Sequence, residues 1–119
     1  MNAKKSNPAF LNGVPELLIL HLLDERPMYG YELVQAIRAA SDAQLEFGEG
    51  CVYPILHRLE AQGLLDSQRQ AVGGRDRVVY RMTRAGRKQL THSVLDWQRV
   101  VAAVSSCLQG GEHARPKLA

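Results

Sequence analysis

Toward its C-terminal end the chain places apolar residues at Leu90, Val94, Trp97, Val101, Val104 and Leu108, in steps of four, three, four, three and four. On a helix these positions form one continuous seam of the kind that coiled coils use. Thr83 is suited to cap the start of such a helix, and Gly110-Gly111 stops it. A helix over residues 83–109 is therefore expected. A chain of 119 residues has the length of one domain and offers little surface to lay along so long a stripe. A second copy of the same helix would cover it, so the pattern predicts a homodimer. The alternative is a long helix packed wholly on its own domain.

Three shorter helices are expected upstream. The first covers 15–24, with Pro15 at a position where its missing amide hydrogen costs nothing. Leu17, Leu18, Ile19, Leu20, Leu22 and Leu23 leave it apolar almost all round, which suits a central element. The second covers 29–40 and buries Leu33, Ala36, Ile37 and Ala40. The polar stretch 41–49 ends it, with Leu45 and Phe47 tucking the connection against the core. The third starts near Gly50 or Cys51 and ends at Gln62, before the helix-capping Gly63. Pro54 is expected in its first turn, Val52, Ile55, Leu56 and Leu59 on its buried side, and Tyr53, His57 and Arg58 outward.

A hairpin follows. Leu64 and Leu65 open its first strand, and 78–82 is the return strand, rich in β-branched and aromatic residues. The stretch Val72-Gly73-Gly74-Arg75-Asp76 is expected as a flexible tip, too long for a tight two-residue turn. The fold class is thus mainly α with a small β wing: a winged helix-turn-helix plus a long C-terminal dimerisation helix. Residues 1–12 are expected as a flexible arm, 13–82 as the DNA-binding domain, 83–109 as the dimerisation helix and 110–119 as a flexible tail.

Charge narrows the function. The net charge of +3 says little, but its distribution says more. Between Ser67 and Thr91 the chain holds Arg69, Arg75, Arg77, Arg81, Arg84, Arg87 and Lys88 against the single acid Asp76. Basic residues gathered in one stretch can form a phosphate-facing patch, and a solvated hairpin charged only for solubility is the alternative. Enzyme signatures are missing: there is no G-x-S-x-G, no phosphate loop and no H-E-x-x-H. Cys51 and Cys107 form no C-x-x-C pair, and His92 with Cys107 or His113 matches no ligand spacing, so neither metal nor cofactor is expected. The first residues lack the apolar core of a signal peptide, and the run 17–23, broken by His21, is too short to span a bilayer. A cytoplasmic protein with reduced thiols and no membrane partner is expected.

In a helix-turn-helix of this order the third helix enters the major groove, the second crosses the backbone and the wing reaches adjacent phosphates or the minor groove. Tyr53, His57 and Arg58, with Arg75 and Arg77 beside the wing tip, are then the candidate contacts to double-stranded DNA. A tyrosine hydroxyl and a guanidinium both bind phosphate oxygens, and arginine also reads guanine edges. Arg58 held by Glu60 or another neighbour, away from DNA, is the alternative. In the N-terminal arm Lys5 is a candidate phosphate contact and Phe10 a candidate dimer contact. A winged-helix protein-interaction module that never binds DNA is the rival function.

Three motifs then stand in order: Pro15-Glu16-Leu17-Leu18-Ile19-Leu20 followed by Gly30-Tyr31-Glu32-Leu33; Val52-Tyr53-Pro54-Ile55-Leu56-His57-Arg58-Leu59-Glu60 followed by Gly63-Leu64-Leu65; and Arg77-Val78-Val79-Tyr80-Arg81-Met82-Thr83-Arg84-Ala85-Gly86, with Trp97 beyond. Over about 14–108 the chain resembles the PadR-like transcriptional regulators, in the shorter subfamily with a single C-terminal helix. The resemblance implies a homodimer on a two-fold related operator, usually acting as a repressor, with the Tyr-Pro helix in the major groove and the wing beside it. Tyr29 stands where the family often has histidine before the glycine of the second helix, which makes it a further candidate backbone contact. Cys51 stands near a position where serine is common, which brings a thiol toward the DNA-facing side and opens a response to oxidants. The resemblance also suggests a small aromatic or drug-like effector held between subunits. Trp97, flanked by Val94 and Val101, is the candidate for that role, and a residue that only glues the dimer is the alternative.

Overall fold

Ile19, Leu20, Leu33, Ile37, Val52, Leu56, Leu59 and Leu65 lose essentially all contact with solvent, and their convergence fixes how the helices meet. In a computed structural model that describes residues 13–110, the order is α1 (Val14–Glu25), β1 (Met28–Tyr29), α2 (Gly30–Ala40), α3 (Glu49–Ala61), β2 (Leu65–Val72), β3 (Arg75–Met82) and α4 (Arg84–Gln109). The fold is a winged helix-turn-helix with a small antiparallel sheet and a long C-terminal helix. Lys5, Phe10 and the tail beyond Gly110 lie outside the described residues. Among the described residues no helix is long and apolar enough to cross a membrane.

α1 sits at the centre, as its apolar circumference requires. Ile19, Leu20, Leu22 and Leu23 are buried, and Leu17 and Leu18 pack on the same core from its edge. A two-residue strand follows that the hydrophobic pattern does not foretell: Met28 and Tyr29 pair with Tyr80 and Val79 of β3, giving the sheet order β1-β3-β2. Tyr29 thus precedes α2 rather than starting it. Its backbone N–H donates to Glu32 Oε1 at 3.2 Å, and Arg26 donates to Glu32 Oε2 at 2.7 Å, so one carboxylate closes the β1–α2 corner.

Between α2 and α3 the chain turns through Asp42 and Ala43, both in the left-handed region at φ 54° and 62°. The Ser41 hydroxyl accepts the Leu45 N–H at 3.0 Å. Phe47 is buried and Leu45 packs beside it. α3 starts at Glu49, so Pro54 stands in its second turn instead of the first. Proline brings no N–H for the Gly50 carbonyl, and that residue is exposed, where water can serve it.

The wing departs most from expectation. β2 and β3 pair from Leu65↔Met82 to Val72↔Arg75, leaving only Gly73-Gly74 as the turn. Both glycines have positive φ, 58° and 79°, as a primed two-residue hairpin turn demands. The tip is a closed ribbon and not a loop.

α4 is capped as its sequence predicts. Thr83 Oγ1 accepts the Gly86 N–H at 3.0 Å and donates to the Gly63 carbonyl at 2.8 Å. The Thr83 N–H donates to the Leu64 carbonyl at 3.2 Å. Arg87 pairs with Asp24 of α1 at 2.9 Å. The end of α3 and the start of α4 are thereby joined through Thr83, which holds the two consecutive carbonyls of Gly63 and Leu64.

Candidate nucleic-acid interface and adjoining cavity

Val52, Leu56 and Leu59 set the buried side of α3, so His57 and Arg58 face outward and are exposed. Tyr53 does not stand free beside them. It is half-buried, and its ring lies so close to Gly30 that a Cβ on that glycine would overlap it. The glycine at the start of α2 therefore makes room for the tyrosine of α3, which sets the approach of the two helices. The Tyr53 and His57 ring centroids are 6.3 Å apart and tilted by 41°. Burial, then the nearby Glu60 and Tyr53, push the Tyr80 phenol above its ordinary value.

Arg58 is turned sideways toward α1. Its Nη1 donates to Glu16 Oε1 at 2.8 Å, with both side chains partly exposed. Glu60, the partner considered from sequence, instead accepts a 2.6 Å hydrogen bond from Ser67. A pair this accessible adds little stability; what it changes is where the guanidinium of the third helix points.

On the wing, alternation sorts β3 into two faces. Val78, Tyr80 and Met82 share the side of Leu65, which faces the core. Arg75, Arg77 and Arg81 share the other side with Val79, opposite Tyr29. The Arg77 guanidinium sits 4.6 Å from the centroid of the Tyr29 ring, a cation–π contact that docks the wing on the β1–α2 corner. Tyr29 is half-buried in this contact. The Nε atoms of Arg77 and Arg81 are shielded from solvent and have no hydrogen-bond partner among the described residues. Arg81, part of the basic stretch but not among the candidate contacts, joins this face, and strand parity counted from Arg77 leads directly to it. Arg69 and Arg87 are tied to Asp76 and Asp24. Arg75, Arg77, Arg81, Arg84 and Lys88 form no ion pair among the described residues.

Cys51 is half-buried, and burial raises its thiol above the ordinary value. A raised thiol holds less thiolate at neutral pH, which disfavours reaction with oxidants there.

The apolar seam of α4 divides. Leu90 is 8% exposed and belongs to the core of its own chain, and Val94 packs at its edge. Trp97, Val101, Val104 and Leu108 are 44%, 40%, 51% and 82% exposed. Val100, also exposed, widens the stripe. Beside Trp97 a cavity of about 280 Å³ opens between the first turn of α1 and the middle of α4. Val14, Glu16 and Leu17 wall one side; Ser93, Asp96, Trp97 and Val100 wall the other. Of the three effector candidates only Trp97 lines it, while Val94 and Val101 do not. Spacing of three and four from Trp97 on its helix gives Val94 and Val101 as readily as Ser93 and Val100, and only the position of α1 selects the second pair.

The sequence profile of the transcriptional regulator PadR-like family matches residues 19–92. The chain is 43% identical over 82 residues to the transcriptional regulator Rv3488 of Mycobacterium tuberculosis, covering 69% of this chain and 74% of that protein. Its fold is similar to a PadR-like transcriptional regulator from Bacillus cereus, with TM-score 0.75, 31% identity, and coverage of 87% of this chain and 99% of the other. A transcriptional regulator from Clostridium thermocellum gives TM-score 0.77 at 27% identity, covering 83% of this chain and 97% of the other. Motif order, fold and relatives agree, and the chain belongs to the PadR-like family of transcriptional regulators, a family of DNA-binding proteins and not of enzymes.

Proposed function

We propose that this chain represses transcription in the cytoplasm by binding a palindromic operator as a homodimer. The observation that carries the reading is the face of the wing bearing Arg75, Arg77 and Arg81, cations without carboxylate partners among the described residues, docked through Tyr29 beside the start of α2. Such a face suits phosphate contacts, and His57 and Arg58 on α3 then serve the major groove. Tyr53 acts mainly by holding α2 and α3 at their angle. Two copies joined along the uncovered part of α4 present two such heads related by a two-fold axis, which matches a palindrome. A small aromatic effector beside Trp97, between the copies, relieves repression by changing the spacing of the heads, provided it binds the two arrangements unequally.

The test is binding to the duplex upstream of the gene, followed by fluorescence anisotropy over a salt series beside a scrambled duplex. Tight, salt-sensitive and sequence-dependent binding is expected, with the salt slope falling by about one for each phosphate-contacting arginine replaced. Absence of salt-sensitive duplex binding would overturn the proposal and favour a protein-interaction module.

A further inference from the structure

Glu16 occupies two places at once. It is one wall of the cavity beside Trp97, and its Oε1 receives the Arg58 guanidinium of α3 at 2.8 Å. Across the cavity stands a second carboxylate, Asp96, which is largely exposed and pairs with Arg99 at 3.8 Å. No lysine, arginine or histidine lines the cavity. Its remaining walls include Val14, Leu17, Trp97 and Val100. An apolar slot with a carboxylate on each side and no cation of its own suits a flat ring carrying a positive charge.

For Arg58 to reach a phosphate or a base edge it must leave Glu16. That departure leaves a carboxylate unpaired in a half-buried place close to a polyanion, which opposes DNA binding. A cation in the cavity removes the opposition by taking the place of Arg58 at Glu16. We propose that Glu16 links the cavity to α3: a cationic ligand beside Glu16 releases Arg58 to DNA, whereas a neutral ligand of the same shape does not. The inference rests on the DNA-binding reading above and adds charge selectivity to it. A neutral aromatic acts only through the spacing of the heads. A cationic one adds an effect of opposite sign that favours the DNA-bound state, and by linkage DNA raises its affinity through this route by the same factor. The route stays within one chain, so each copy in a dimer contributes its own Glu16–Arg58 pair.

The experiment compares 1-naphthylmethylammonium with neutral 1-naphthylmethanol. Occupancy is followed by calorimetry and operator affinity by anisotropy, for the full chain and for Glu16→Gln, Arg58→Gln and the double variant. Operator affinity in the presence of the ammonium is expected to exceed that with the alcohol by roughly two- to fivefold, the size of one exposed ion pair. The ratio should fall to one in each variant. Without ligand, Glu16→Gln is expected to bind the operator more tightly than the parent, with a salt slope steeper by about one per copy. The same change made on Arg58→Gln should leave the salt slope unchanged, because no guanidinium remains to be released. A purely structural Glu16 would change the melting temperature but not the slope. Equal operator affinities with the two ligands at full occupancy overturn the proposal, as does ammonium binding that survives Glu16→Gln unweakened. Salt-sensitive duplex binding with an unchanged slope in Glu16→Gln overturns the link alone; loss of all duplex binding by the parent chain overturns the functional reading as well.

Discussion

The first half of α4 and the second half carry the same apolar spacing and meet opposite surroundings. From Gly86 to Val94 the stripe packs on α1 and on the chain that leaves α3, and Leu90 joins the common core. From Trp97 to Leu108 the stripe continues in register over residues that stay exposed. Helical periodicity states that a face will be covered and is silent about what covers it. The first half was settled by non-local packing within the chain, while the second half is left for another molecule.

The sharpest way to break this comparison is Leu90→Ala. It should destabilise each chain by about 3 kcal/mol, as expected for a leucine truncated in a packed core. The loss should show in chemical denaturation at every protein concentration. A loss that vanished on dilution would place Leu90 in the dimer seam instead. Next in size is Val104→Lys, which buries a charge twice in a two-fold interface. It should weaken self-association by roughly a hundredfold, with sedimentation equilibrium as the readout. The circular dichroism of the dilute protein should not change. An unaltered association constant would remove the second half of α4 from the interface. The smallest effect is that of Thr83→Ala, about 1 kcal/mol from the lost N-cap. Because Thr83 also holds the Gly63 carbonyl, hydrogen exchange should rise at the end of α3 as well as at the start of α4. Faster exchange confined to α4 would show that the cap does not couple the two.

Helices were legible because their signals are local. The leucines of α1, the alternation of three and four in α4, Thr83 and Gly110 each declare themselves within a few residues. What was missed depends on distant partners. Met28 and Tyr29 become a strand only because β3 lies beside them, some fifty positions later, and two residues carry no period of their own. Arg58 and Glu16 meet across 42 positions, and nothing near either announces the other. Tyr53 has an exposed sequence character, yet its ring fills the space that Gly30 leaves open, so the two are understood only as a pair. The wing turn is a different case. Gly73-Gly74 is itself a strong local signal for a two-residue hairpin. The polar Arg75 and Asp76 beside it have the composition of a loop, although both residues are paired in β3.

That tight turn makes the wing a ruler. Side chains on one face of an antiparallel strand recur every two residues, about 7 Å. Arg75 and Arg77 are therefore held at a fixed interval, close to two 3.4 Å steps of a nucleic-acid strand. A single residue gained within β3 between them would throw Arg75 onto the opposite face and slip the register at the tip. With this pairing and this turn kept, a longer wing holds its tip arginines on the same face only if it grows by two residues on each strand, so that its reach is quantised and not continuous.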